Sequence, residues 1–151
     1  MALKTLAKSQ ERVLKEMYSA YTEYWETLIS VVPEYKTVLE KESKLSSYYR
    51  QLKRNHLLFR PVGQLAFARA VQFLLAKKMP LKDAIKLLHS KNNMFLHERV
   101  WHYILWDPVA SKMLNNWSPA ETLLLTTAGQ EPRSPSAAER LRRLQEGGEG
   151  T

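Results

Sequence analysis

The chain has 151 residues, a length that fits one core rather than two, because domains cluster at about 100–150 residues. With 44% hydrophobic and 25% charged residues it has an ordinary globular composition, which excludes wholesale disorder and collagen-like or mucin-like repeats. Its 23 Lys and Arg against 15 Asp and Glu give a net charge of +8, so nucleic acid and anionic membrane are the acidic partners to weigh.

Large apolar residues at Leu3, Leu6, Val13, Leu14, Met17, Tyr21, Tyr24, Trp25, Leu28, Ile29 and Val32 recur at spacings of three and four. That pattern predicts one long amphipathic helix. It should end at Val32, because a proline disfavours α geometry in the residue before it. Pro33 suits a first helical turn, so a second helix is expected through Tyr35, Val38 and Leu39 to about Leu52 unless the Ser43 to Ser47 patch breaks it. Asn55 to Gln64 reads as an extended connector closed by Pro61 and Gly63, with a brief strand as an option, and Gln64 to Lys78 returns to helical period. Pro80 to His89 predicts a short helix with Asp83 in its first turn and His89 near its end. His97 to Trp106 is read as a short helix or a buried extended segment before a turn at Asp107-Pro108.

Ser118-Pro-Ala-Glu121 has the form of a capping box with proline at the first helical position, opening a helix that stops at Gly129. The expected fold class is all-α: a compact bundle of about five to six helices over residues 1–129, followed by a flexible basic and Gly-rich tail over 130–151. A short helix over 137–146 is an option within that tail.

The positive charge is local. Between Ser43 and Lys82 lie Lys44, Arg50, Lys53, Arg54, Arg60, Arg69, Lys77, Lys78 and Lys82 without one Asp or Glu, and the remainder carries 14 bases against 15 acids, or −1. With Tyr48, Tyr49 and Phe59 interleaved, the segment suits phosphate contact plus base or sugar stacking. Arg50, Lys53, Arg54, Arg60, Lys77 and Lys78 are therefore the candidate nucleic-acid contacts, the first three being placed on one side of a helical turn. A plainer reading stays open, in which these are solvated helix faces and the tyrosines are core. The long first helix supplies a different candidate. Its stripe runs about eight turns, more than a small domain uses, which makes Leu3, Leu6, Val13 and Met17 candidate contacts to a second copy or a partner protein.

Chemistry-bearing motifs are sparse. There is no cysteine, which removes disulfides, thiolate nucleophiles and cysteine-built metal sites. His56, His89, His97 and His102 lack metal-ligand spacing, and no phosphate-cradling glycine loop or nucleophile elbow occurs. A catalytic site would have to be assembled from His97, Glu98, His102 and Asp107. The expectation is a non-enzymatic protein without cofactor or metal. Met1 to Arg12 lacks the features of a secretory signal and no stretch of about 18 apolar residues occurs, so a cytoplasmic protein with no membrane partner is expected.

Three stretches together resemble the C-terminal helical region of DGQHR-domain proteins, the DndB-like DNA sulfur-modification family. They are Ala20 to Glu34, Leu57-Leu-Phe-Arg-Pro-Val-Gly-Gln64 with the alanine-rich helix after it, and Val100-Trp-His-Tyr-Ile-Leu-Trp-Asp-Pro108. The Asp-Gly-Gln-His-Arg motif that names the family is not present in this sequence, so the resemblance covers the helical tail alone. It implies a role around bacterial or phage DNA modification and defence, as a DNA-binding or regulatory component. Arg60, Pro61, Gly63, Gln64, Trp106, Asp107 and Pro108 occupy the matching motif positions. A structural role suits them: Pro61 to Gly63 setting a bend, Arg60 paired with a buried acid such as Asp107, and Trp106 filling the core.

Overall fold

The computed structural model describes residues 2–40, 45–51 and 54–147, with the backbone alone described at 2–6, 40, 45 and 46. Helix α1 (Ala2–Val31) follows the three-and-four spacing of its apolar residues and stops where Pro33 bars α geometry in Val32. Pro33 then opens α2 (Pro33–Glu40), with Glu34 in a first turn whose dipole favours a carboxylate. α2 is described as far as Glu40, the expected break at Ser43 to Ser47 lies partly outside the described residues, and Tyr49 and Arg50 form a turn, so helix does not continue past Tyr48. The described chain resumes in a single turn, α3 (Leu45–Tyr48), whose paired serines favour turns over helix interior.

The connector is held from both sides. Asn55 and His56 pair with the segment around Phe95, through Leu57 N–H to Met94 O at 2.7 Å and Leu96 N–H to Asn55 O at 2.8 Å. A 3-10 turn over Leu57–Phe59 follows. Pro61 and Gly63 do not close this connector; they form the first turn of α4 (Pro61–Ala76), which starts three residues before the expected Gln64. Gly63 is required by a close approach, since a Cβ there would lie 2.1 Å from the Leu57 carbonyl oxygen. α5 (Leu81–Lys91) has Asp83 in its first turn and His89 and Lys91 in its last, each complementing the nearer end of the dipole.

Of the short helix expected within His97 to Trp106, only Arg99–Trp101 is helical. A 3-10 turn over Arg99–Trp101 leads to a two-stranded hairpin, β1 (Trp106–Asp107) against β2 (Lys112–Met113), with Trp106 opposite Met113 and Asp107 opposite Lys112. Helix α6 (Trp117–Thr127) has Asn116 rather than Ser118 at its N-cap, and no side-chain cap bond is made. Glu121 is drawn away from the expected capping box by two arginines. Gly129, at φ +85°, provides the left-handed residue that stops α6.

Beyond Gly129 the helix offered as an option within the tail forms as α7 (Pro135–Gln145), capped by Ser134, whose hydroxyl accepts the Ala137 N–H at 3.1 Å. Leu141 and Leu144 bury against the body, so the folded unit extends well past residue 129.

The fold is an all-α bundle with α4 at its centre, packed against α5, α6 and the Leu57–Phe59 turn, while α7 covers α6 and α1 lies on α5 and α2. Ala66 and Ala70, both fully buried, let the neighbouring helix approach closely. Trp101 fills the core, its ring N–H donating to Asn93 O at 2.6 Å. Trp106, expected in that role, is only half-buried at the edge. Among the described residues no helix is long and apolar enough to cross a membrane.

Candidate nucleic-acid interface

The basic run divides into three environments. Arg50 and Arg54 are exposed, and among the described residues neither is paired with a carboxylate. They lie on turns rather than on one helix face, because α3 has already ended at Tyr48. The Arg54 guanidinium sits 4.0 Å from the centroid of the exposed Tyr48 ring and donates to the Gln51 side-chain oxygen. Lys53, and the side chains of Leu3 and Leu6, lie outside the described residues.

Arg60 faces inward. Its Nε donates to Asn55 Oδ1 at 2.8 Å and its Nη2 to Arg50 O at 2.9 Å. The expected pair with Asp107 is not formed: Asp107 Oδ1 accepts the Val109 and Ala110 N–H groups at 2.9 and 3.0 Å. These two bonds hold the Asp107 carboxyl below the usual carboxylate range. Arg60 thus fixes the loop that carries Arg50, while Asp107 and Pro108 shape the hairpin turn.

Arg69 belongs to a structural network. Glu121, 3% exposed, receives Arg69 Nε at 3.4 Å and also Arg133, while the two guanidiniums lie over the Trp117 and Phe73 rings respectively. The Lys77 ammonium sits over Phe73 at 4.6 Å, and Lys78 adopts φ +71° just past the end of α4. Since α4 rises about 1.5 Å per residue, Lys77 is roughly 25 Å along the axis from Arg60. The candidate contacts therefore form two separate groups, one at each end of α4.

The aromatic residues form a ladder rather than a row of free stacking platforms. Tyr21, Trp25, Tyr35, Phe59, Tyr49 and Tyr48 follow one another with centroid separations of 6.1, 5.9, 4.9, 4.9 and 5.1 Å. Tyr35 donates its hydroxyl to Leu58 O, which also accepts Gln64 Nε2 at 2.9 Å. Burial pushes the Tyr35 phenol up to about 12, so it remains a donor at neutral pH. Tyr48, at the end of the ladder, keeps an exposed face beside Arg50 and Arg54.

A buried polar cluster lies below the connector. His56 Nδ1 accepts the Leu58 N–H at 3.1 Å, so the ring proton is on Nε2, facing Glu34 Oε2 at 3.6 Å. This ring N–H holds the Glu34 carboxyl below its usual range despite partial burial, while burial pushes the nearby His89 downward. With its one lone pair taken by the backbone, His56 has no nitrogen left to act as a base.

The four residues considered for catalysis do not converge. His97 lies 3.3 Å from Glu98, His102 Nε2 is at 2.9 Å from the His97 carbonyl, and Asp107 is held in its turn. Among the described residues no three His, Asp or Glu side chains are placed to hold a metal ion.

The long helix presents the other feature. From Ala7 to Tyr21 every residue is exposed, and Leu14 and Met17 retain 66% and 63% of their surface. Val13 is also exposed. At the inner end of this arm an apolar cleft of about 340 Å³ opens between Tyr21, Tyr24, Trp25, Pro61 and Leu65. Sequence reasoning missed the cleft, because α1 and the start of α4 meet only in three dimensions. No family model, curated protein or solved structure matches this chain.

Proposed function

We propose that this chain is a non-enzymatic helical domain that contacts DNA through phosphate at the Arg50–Arg54 surface, with Tyr48 as a stacking face. The observation that carries the proposal is the run of nine bases without an acid, from which Arg50 and Arg54 emerge exposed and free of carboxylate partners among the described residues. Arg60 acts as a positioning residue for Arg50, and Arg69 is withdrawn from the surface role by Glu121. Lys77 and Lys78 form a second contact point roughly 25 Å away, a distance spanned by about seven base pairs of duplex. The resemblance to DGQHR-domain tails supports a setting in bacterial or phage DNA modification and defence.

Fluorescence anisotropy with generic duplex and single-stranded DNA tests this reading. Binding at low salt that weakens at moderate salt is expected, and no binding at low salt overturns it. A second reading, a protein-interaction module, is favoured by the exposed apolar arm of α1.

A further inference from the structure

We infer that the arm of α1 pairs antiparallel with the same arm of a second copy of this chain, each arm reaching into the other copy's apolar cleft. The inference rests on reading α1 as a docking element and names its occupant. Leu14, Met17, Tyr21, Tyr24, Leu28 and Val31 recur at alternating spacings of three and four, the repeat that lets two helices share one apolar seam. The inner end of this seam is already used within the fold, where Leu28 is 1% exposed; the outer end, from Leu14 to Tyr21, has no cover. A helical arm of about four turns is marginal in water unless its apolar face is packed.

Charge selects both the partner and the direction. Ala2 to Lys15 carries Lys4, Lys8, Arg12 and Lys15 against Glu11 alone, whereas Glu16 to Val31 carries Glu16, Glu23 and Glu26 and no base. The arm is basic outside and acidic inside. Parallel pairing would set like halves together; antiparallel pairing sets each basic half against the other copy's acidic half. Centred on Ser19, it places Met17 of one copy against Tyr21 of the other, and Leu14 against Tyr24. Leu14 and Met17 thus meet Tyr24 and Tyr21, both of which line the cleft between α1 and the start of α4. The contact is the same on both copies and closes as a two-fold dimer.

Sedimentation equilibrium of the full chain from about 1 to 200 μM tests the inference. A mass approaching twice 17.6 kDa is expected. Met17→Asp should shift the dissociation constant by at least tenfold while leaving the hydrogen-exchange protection of α4 and α6 intact. Arg12→Glu with Lys15→Glu should weaken the dimer, and adding Glu23→Lys with Glu26→Lys should restore it. A monomer at the highest concentration, a dimer indifferent to Met17→Asp, or a dimer strengthened by the first charge reversal overturns the proposal. Hydrogen exchange on the arm separates its failure from that of the docking reading. A monomer with an unprotected arm overturns self-pairing alone, whereas a monomer with a protected arm overturns both.

Discussion

Glu121 shows how one side chain decides the use of two others. Its carboxylate is buried and accepts from Arg69 and Arg133, so Glu121→Ala leaves two guanidiniums without their acid and a gap beneath them. Both arginines are partly exposed and can be rehydrated, which places the expected loss at about 1–3 kcal/mol in urea denaturation. A loss below about 0.5 kcal/mol would show that the network contributes little. Gly63→Ala presses a methyl group onto the Leu57 carbonyl and should cost about 1–3 kcal/mol by the same measurement, through overpacking of backbone that has nowhere to move. Full stability in that variant would contradict the close approach.

Two lowered groups give the sign of the pH dependence. Burial depresses His89, and the ring N–H of His56 depresses Glu34, so the folded state binds fewer protons than the unfolded chain. Stability is complete above the unfolded His value of about 6.5. It falls as acidification protonates the unfolded chain first, with Glu34 adding to the loss below about 4.3. The melting temperature should drop between about pH 7 and pH 5, and the drop should be smaller in His89→Gln. Equal drops would remove His89 from the explanation.

At the scale of elements, what could be read in advance followed from locality. The period of α1, the stop before Pro33, the span of α5 and the Gly129 stop are set by residues within a turn or two of one another. The hairpin could not be read, because two-residue strands have no period to detect. The helix over 137–146 was an option in the sequence, but its docking as α7 could not be read because its apolar contribution is small. Leu141 and Leu144, a turn apart among arginines and glutamates, resemble a solvated tail until α6 is placed beneath them. The Ser118 box failed for a related reason: Glu121 finds Arg69, 52 residues away, a better partner than the backbone three residues back. Leu144→Ala tests whether α7 belongs to the cooperative unit. It should cost about 2 kcal/mol in thermal or urea unfolding, and a change within error would return α7 to the status of a tail.

For the whole molecule, the positive charge is local in sequence but divided in space. The nine bases between Ser43 and Lys82 were legible as a run; their allotment to an exposed pair, an inward-facing Arg60, a Glu121 bridge and a distant lysine pair needed the fold. Asn55, which holds Arg60, carried no signal of its own, and the motif position of Asp107 suggested a different partner. On the proposed reading, arginines free of carboxylates contact phosphate and arginines held by Glu121 do not.

The salt dependence of DNA affinity tests that claim most directly. Removing one phosphate-binding side chain should flatten the slope of log K against log salt by about one unit, so Arg50→Ala with Arg54→Ala should lower the slope by about two. Arg69→Ala should leave the slope unchanged, since its guanidinium serves Glu121. An unchanged slope in the double variant, or a flattening of about one unit in Arg69→Ala, would contradict it.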